Sequence, residues 1–374
     1  MSNSAPKKIL VVPKSFFGDL ILTGPVFEAL KRDDPRCRIS VVVPPQSAEF
    51  AKRDPYVDEV IVFDRKGEYA GWGGLRAFAR KLRQEGFDRG YSFARSPRTA
   101  LLLRLAGIRE RIGYSDAYLS SLYSRRVKKT ARLHEVVRNL ELVYAELGEE
   151  TRREVDGLTR VGPAVVSDLF SLRVPDIGSD EVSDLARECV SREGRFVVLS
   201  PGSAWETKRW RAEGFREVAL GLVKRGYRVL VVGAPADSQV CERVCADVGD
   251  SSGDLVNLCA KTSLVDLVFL IKRAAGVICN DSLALHLASA TKVATVVIFC
   301  ATSPLFGFGP WKNRAAVVER KDLFCKPCRR HGSRRCPTGT EACMTGVSSS
   351  DVLGAFDDLV LADGGRREGG LHIV

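Results

Sequence analysis

The chain has 374 residues, 45% hydrophobic and 28% charged, and its 57 basic and 46 acidic residues leave a net charge of +11. This is about twice the length of an ordinary domain, so two packed domains are expected, and the composition excludes a disordered, collagenous or small disulfide-scaffold chain. The longest uninterrupted apolar run, Val296 to Ala301, falls far short of the roughly 18 residues of a membrane span, so no integral membrane segment is expected.

At the N-terminus, Lys7-Lys8 and only Ile9 to Val12 precede Pro13. That stretch lacks the apolar length and cleavage site of a secretory leader, and a cytoplasmic protein is expected. Ile9 to Val12 reads as a buried strand. Leu20, Val26, Phe27 and Leu30 at helical spacing make Leu20 to Lys31 a helix, and Ile39 to Val43 and Val57 to Phe63 return as strands. A helix over Leu75 to Arg83, a strand over Phe87 to Phe93 and a helix over Pro97 to Ala106 continue the alternation, which a helix from His134 to Leu147 closes. Within this half, the stretch from Arg89 to Arg132 holds eleven basic residues against Glu110 and Asp116. Such a field attracts polyanions: nucleic acid, an anionic lipid surface or a phosphorylated substrate. A solvated basic face is the plainer alternative.

Residues 148 to 178 lose the rhythm through Gly148, Gly157, Gly162, Pro163, Pro175 and Gly178, and the interdomain passage is expected there. A second series follows. Strands are expected at Phe196 to Ser200, Tyr227 to Val232, Val277 to Cys279 and Val293 to Phe299, and helices at Ala212 to Lys224, Gln239 to Val248, Leu264 to Arg273 and Ser282 to Ala290. This is α/β organisation in two Rossmann-like, doubly wound domains facing a central cleft. The expected division is 1–165 for the first domain and 166–349 for the second, then a last helix over 350–361 and a Gly-rich charged tail over 362–374.

Three strand-to-helix turns carry the residues suited to chemistry. The first, Pro13 to Asp19, has neither GxGxxG nor GxxxxGK[ST], which disfavours a dinucleotide site and excludes a P-loop. It ends in Gly18-Asp19 at a helix start, where Asp19 could cap the helix or take a proton from a substrate hydroxyl. The second runs from Ser200 through Ser203 to Lys208, Arg209 and Trp210. Small residues, hydroxyls and cations near a helix N-terminus suit phosphate oxygens, though a solvated loop reads the same way. In the third, Asn280, Asp281 and Ser282 open a helix that carries His286 one turn on. Helix capping and a core histidine explain these residues singly. The three turns together, all expected to face one cleft, make a constellation.

These phrases carry a resemblance. Gly18-Asp19-Leu-Ile-Leu-Thr-Gly-Pro25 with Ala29-Leu30-Lys31, then Pro201-Gly202-Ser203 up to Lys208-Arg209-Trp210, then Asn280-Asp281-Ser282 up to His286, resemble glycosyltransferase family nine. Within it the chain is most similar to the ADP-heptose:lipopolysaccharide heptosyltransferases of the second, inner-core type, over roughly residues 7 to 361. The resemblance implies a GT-B architecture with an N-terminal acceptor domain, a C-terminal nucleotide-sugar domain and a last helix packed back on the first domain. It implies inverting transfer of heptose from ADP-L-glycero-β-D-manno-heptose to the lipopolysaccharide inner core, with no cofactor required for the chemistry. Asp19 would be the general base, Lys208 would neutralise the donor pyrophosphate, Ser203 would bond the phosphates, and Asp281 would hold the heptose hydroxyls, with Ser282 and His286 nearby in the donor site. The phosphorylated acceptor at the inner face of the membrane gives the basic stretch a use, with Arg95, Arg98, Arg125 and Arg126 as candidates and a protein peripheral to the inner membrane as the consequence. Leu283 and Cys300 stand where the family commonly shows Gly, both in the donor site.

Cys325, Cys328, Cys336 and Cys343 lie within nineteen residues, a spacing compatible with a structural zinc site or with reduced or disulfide-bonded thiols. Similar clusters occur in the second-type heptosyltransferases. The other cysteines, scattered and odd in total, suit a reducing compartment. Three alternatives to the leading reading are a transferase using another nucleotide-sugar, a non-catalytic binder of ADP or acceptor, and a zinc-containing nucleic-acid-binding protein. The last leaves the three turns unexplained and lacks an aromatic RNP-type pattern, so nucleic acid is not an expected partner.

Overall fold

A computed structural model describes residues 6–161, 169–246 and 253–361. The β-branched runs form the strands. Those of the first unit are β1 (Lys8–Val12), β2 (Arg38–Val43), β3 (Glu59–Val62), β4 (Arg89–Ser92), β5 (Glu110–Tyr114) and β6 (Arg125–Val127). They pair in parallel in the order β3-β2-β1-β4-β5-β6. Helices α1 (Phe17–Asp33), α2 (Ala48–Ala51), α3 (Gly71–Glu85), α4 (Pro97–Leu105), α5 (Glu135–Val143) and α6 (Glu149–Val161) complete this unit. Because the crossovers cover the sheet, β1 and β2 are buried beyond their first residues, as continuous apolar strands require.

The second unit repeats the plan. It contains α7 (Asp184–Ser191), β7 (Phe196–Ser200), α8 (Ala212–Lys224), β8 (Arg228–Val231), α9 (Ser238–Cys245), β9 (Leu255–Asn257), α10 (Leu264–Arg273), β10 (Gly276–Asn280), α11 (Leu283–Thr291), β11 (Thr295–Ile298), β12 (Ala315–Val318), α12 (Ala342–Thr345) and α13 (Ser349–Leu361). Its parallel sheet runs β12-β11-β10-β7-β8-β9, the same winding as the first. In each sheet the chain reverses direction of travel between two central strands, β1 and β4 in one and β7 and β10 in the other. Loops leaving the carboxyl ends of such strands splay apart and leave room for a ligand.

One expectation is corrected. Residues 148 to 178 are not all passage, because Glu149–Val161 is a helix that turns Thr151, Val155 and Leu158 inward under a charged outer face. The expected boundary at 165/166 lies outside the described residues, and contacts divide the chain between Pro175 and Asp176. The basic stretch contributes β5 and β6. The apolar face of α13, Val352, Phe356 and Leu359, is buried in the second unit's own core beside α8, β11 and β12. The expected tail, 362–374, lies outside the described residues. Among the described residues no helix is long and apolar enough to cross a membrane.

Candidate functional site

In the first unit the site grows from the loop after β1. Helix α1 begins earlier than the sequence spacing predicts, at Phe17, which puts Asp19 inside its first turn. The capping alternative fails, since Phe16 is the cap residue and no side chain caps the helix. The Asp19 carboxylate instead accepts from Lys14 Nζ at 3.2 Å, and Lys14 also pairs with Glu135, the first residue of α5. Glu135 is fully buried and meets Lys129 Nζ at 3.1 Å and the Arg138 guanidinium as well. Burial lifts the Asp19 carboxyl above its ordinary range, Lys14 pulls it back, and the like charge of Glu135 adds to the lift. For Glu135 burial also acts upward, but Lys14, Lys129 and Arg138 outweigh it and hold the acid at about 2. Burial brings Lys129 down to about 8 despite Glu135. Sequence reasoning missed Lys14, Lys129 and Glu135, since residues so far apart along the chain share no periodic pattern.

Beside this cluster a pocket is lined by Lys14, Ser15, Arg65, Ser96, Arg98 and Thr99. Arg98 is fixed by donating Nη2 to the carbonyls of Tyr69 and Gly71, both at 3.0 Å, and Arg65 donates to Ser15 Oγ at 2.7 Å. Arg95, in the loop after β4, bonds the carbonyl of Asp116 at 3.1 Å and remains half exposed. Arg125 and Arg126 are not brought here. Arg125 opens edge strand β6, so it lies at the amino end of a parallel sheet whose carboxyl end carries the β1 loop, and its charge is spent on Glu146; Arg126 is exposed on the same strand. Arg65, like Lys14, is a pocket cation that the sequence did not single out.

In the second unit three loops converge. Asn280, at the end of β10, is fully buried and laces the two central strands together: its Nδ2 donates to the Pro201 carbonyl at 2.7 Å and its Oδ1 accepts from the Trp210 backbone N–H at 3.0 Å. Buried Trp210 in turn donates its indole N–H to the Val347 carbonyl at 3.3 Å. These bonds hold the loop 201–210 so that Lys208 Nζ reaches Asp281 Oδ2 at 2.7 Å, where Thr302 Oγ1 also donates at 2.9 Å. Ser203 Oγ donates to the Asp281 carbonyl at 3.1 Å. Ser282 precedes α11, and its hydroxyl is buried without a hydrogen-bond partner. His286 is buried one turn further on, its ring 6.5 Å from that of Phe308. All five expected donor residues therefore cluster at the β7/β10 reversal. Gly202 is required in the loop, because a β-carbon would stand 2.3 Å from the Asp237 carboxyl carbon. Of the two unexpected residues, Cys300 is buried in the core and Leu283 begins α11 half-buried.

The cysteine segment packs on the same loop. Thr207 and Ser333 bond each other through Thr207 N to Ser333 O at 3.1 Å and Ser333 N to Thr207 Oγ1 at 2.8 Å, and Cys328 N donates to the Ala301 carbonyl at 3.0 Å. Gly332, at φ +76°, lets the backbone pass against the Lys208 side chain. Cys343 faces the core while Cys325, Cys328 and Cys336 are partly exposed. Among the described residues no three His, Cys, Asp or Glu side chains are gathered as a metal ion needs, so the four thiols do not fit the zinc reading as placed.

The model of the family described as glycosyltransferase family 9 (heptosyltransferase) matches residues 75–337. Lipopolysaccharide heptosyltransferase 2 of Escherichia coli strain K12 is 25% identical over 315 residues, covering 83% of this chain and 87% of that protein. The solved E. coli ADP-heptose lps heptosyltransferase II superposes with a TM-score of 0.74 at 23% identity, over 96% of this chain and 100% of that one. A family 9 glycosyl transferase from Veillonella parvula gives a TM-score of 0.77 at 24% identity, over 96% and 99%. The two parallel, doubly wound units are thus those of a GT-B-like α/β fold.

Proposed function

Since the chain belongs to glycosyltransferase family 9 and is a glycosyltransferase, we propose that it transfers heptose, with inversion, from ADP-L-glycero-β-D-manno-heptose to the lipopolysaccharide inner core. The relatives' names supply lipopolysaccharide and ADP-heptose, and the sequence resemblance supplies the sugar's configuration and the inner-core acceptor. Support for the chemistry comes from one observation above the rest: Asp19, a half-buried carboxylate made more basic by its surroundings, stands beside a cation-lined pocket. In this reading the acceptor hydroxyl loses its proton to Asp19 as its oxygen bonds the anomeric carbon, while the bond to the ADP oxygen breaks on the opposite face. The charge left on ADP is offset by Lys208 and by the N-terminal end of α11. No further group is needed to balance this step.

Ser203 and Lys208 are assigned to the donor phosphates and Asp281 and His286 to the sugar. Ser282 fits that surface because a buried hydroxyl without a partner is satisfied when a polar ligand arrives. Arg98, Arg65 and Arg95 are assigned to acceptor phosphates, with Arg125 and Arg126 left out for their place on the sheet. The proposed acceptor class supports a peripheral position at the cytoplasmic surface of the inner membrane. Comparing native protein with Asp19→Asn tests the base: transfer should fall by about 10²-fold or more while ADP binding persists. Unchanged transfer would remove Asp19 from the mechanism.

A further inference from the structure

A base that serves an acceptor needs one carboxylate, yet the loop after β1 and the start of α5 bring together two acids and three cations. Lys14 bridges the acids, at 3.2 Å from Asp19 and in close contact with Glu135. Glu135 is not needed to cap α5, since the His134 ring accepts the Val136 N–H at 3.3 Å. Nor is it needed to dock α5 on α1, because Asn139 Nδ2 donates to the Leu22 carbonyl at 3.0 Å. It nevertheless lies fully buried, a position that costs several kcal/mol for an unpaired acid.

The groups facing Asp19 are few. Lys14 comes from its own loop, Glu135 from α5 and Lys129 from the segment after β6, while Arg138 of α5 is held on Glu135. Lys129 also sits 4.7 Å from the ring centroid of Tyr114 on β5, and the Tyr114 hydroxyl donates to the Arg138 carbonyl at 2.8 Å. An ammonium committed wholly to Asp19 would stabilise its ionised form and make it a poor base. Here that ammonium is shared.

We propose that Glu135 is a positioning residue for the Asp19 carboxylate: it draws the Lys14 ammonium toward itself and, by its own charge, keeps Asp19 a stronger base than an isolated Lys–Asp pair would. This rests on the reading of Asp19 as the acceptor's base. Removing the charge of Glu135 frees Lys14 for Asp19 and removes a repulsion, so both effects weaken the base. Removing Lys129 deletes a cation that stabilises ionised Asp19, so it acts the other way.

The experiment titrates the Asp19 carboxyl carbon by NMR in the full chain, with the resonance assigned by its loss in Asp19→Asn, in parallel with the pH profile of kcat/KM. Glu135→Gln is expected to move the titration and the acidic limb down by about one pH unit and to lower the plateau by about threefold to tenfold. Glu135→Asp should restore both, and Lys129→Met should move them up. A purely structural Glu135 would lower the plateau without moving the titration. Should Glu135→Gln not fold, Lys129→Met decides, and an unmoved Asp19 carbon overturns the proposal. Asp19→Asn that still transfers would end the base reading alone, because the carbon titration judges Glu135 without reference to turnover.

Discussion

Asn280 offers the sharpest test of how the second unit builds its site. Its side chain is fully buried and makes two bonds, donating to Pro201 O at 2.7 Å and accepting from Trp210 N at 3.0 Å. Asn280→Ala strands a carbonyl and an N–H in the interior, and at roughly 1–3 kcal/mol for each unsatisfied group the loss should be about 2–6 kcal/mol. Asn280→Asp preserves the acceptor toward Trp210 but turns a carboxylate oxygen toward the Pro201 carbonyl, so it should be at least as harmful as Ala. Urea unfolding measures the loss, and ADP titration measures whether the Lys208 loop has loosened. The expectation is a lower urea midpoint for both variants and weaker ADP binding where the fold survives. A midpoint within experimental scatter of native for Asn280→Ala would refute the claim that this side chain holds the two loops together.

Lys208→Met removes the cation paired with Asp281, and steady-state assays should show a rate lowered by about 10²–10³-fold, as for loss of one preorganised group facing developing charge. Gly202→Ala forces its new methyl against Asp237, 2.3 Å away, and calorimetry should register about 1–3 kcal/mol of destabilisation. Acid titration should show a stability loss tied to Glu135. Its folded pKa is about 2 against an ordinary 4.5, so its contribution is complete above 4.5 and disappears as pH falls toward 2, about 3 kcal/mol that Glu135→Gln would not show.

What the sequence made legible follows from pattern strength. The Val- and Ile-rich runs and the helices Ala212–Lys224 and Leu264–Arg273 are found where the spacing places them. The donor-side residues could be read together because each lies in or just beyond a turn that leaves a central strand, β7 or β10, and a strand's end is a place that topology fixes. The basic stretch was harder, because a charge count says nothing about partners. Arg89 is spent on Glu110 and Glu146, and Arg111 bonds the Leu122 and Ile108 carbonyls. Helix α6 was missed because Gly157 and its charges mask a stripe of only Thr151, Val155 and Leu158. Glu135 carries no local signal. Only the packing of α5 against α1 gives it Lys14 as a partner.

The central claim is the transfer itself. Purified protein incubated with ADP-heptose should add heptose to singly heptosylated lipopolysaccharide core and leave heptose-deficient core unmodified, read by mass spectrometry of the product. Binding of ADP without transfer to either acceptor would contradict the account and point to another sugar donor or to a binding protein.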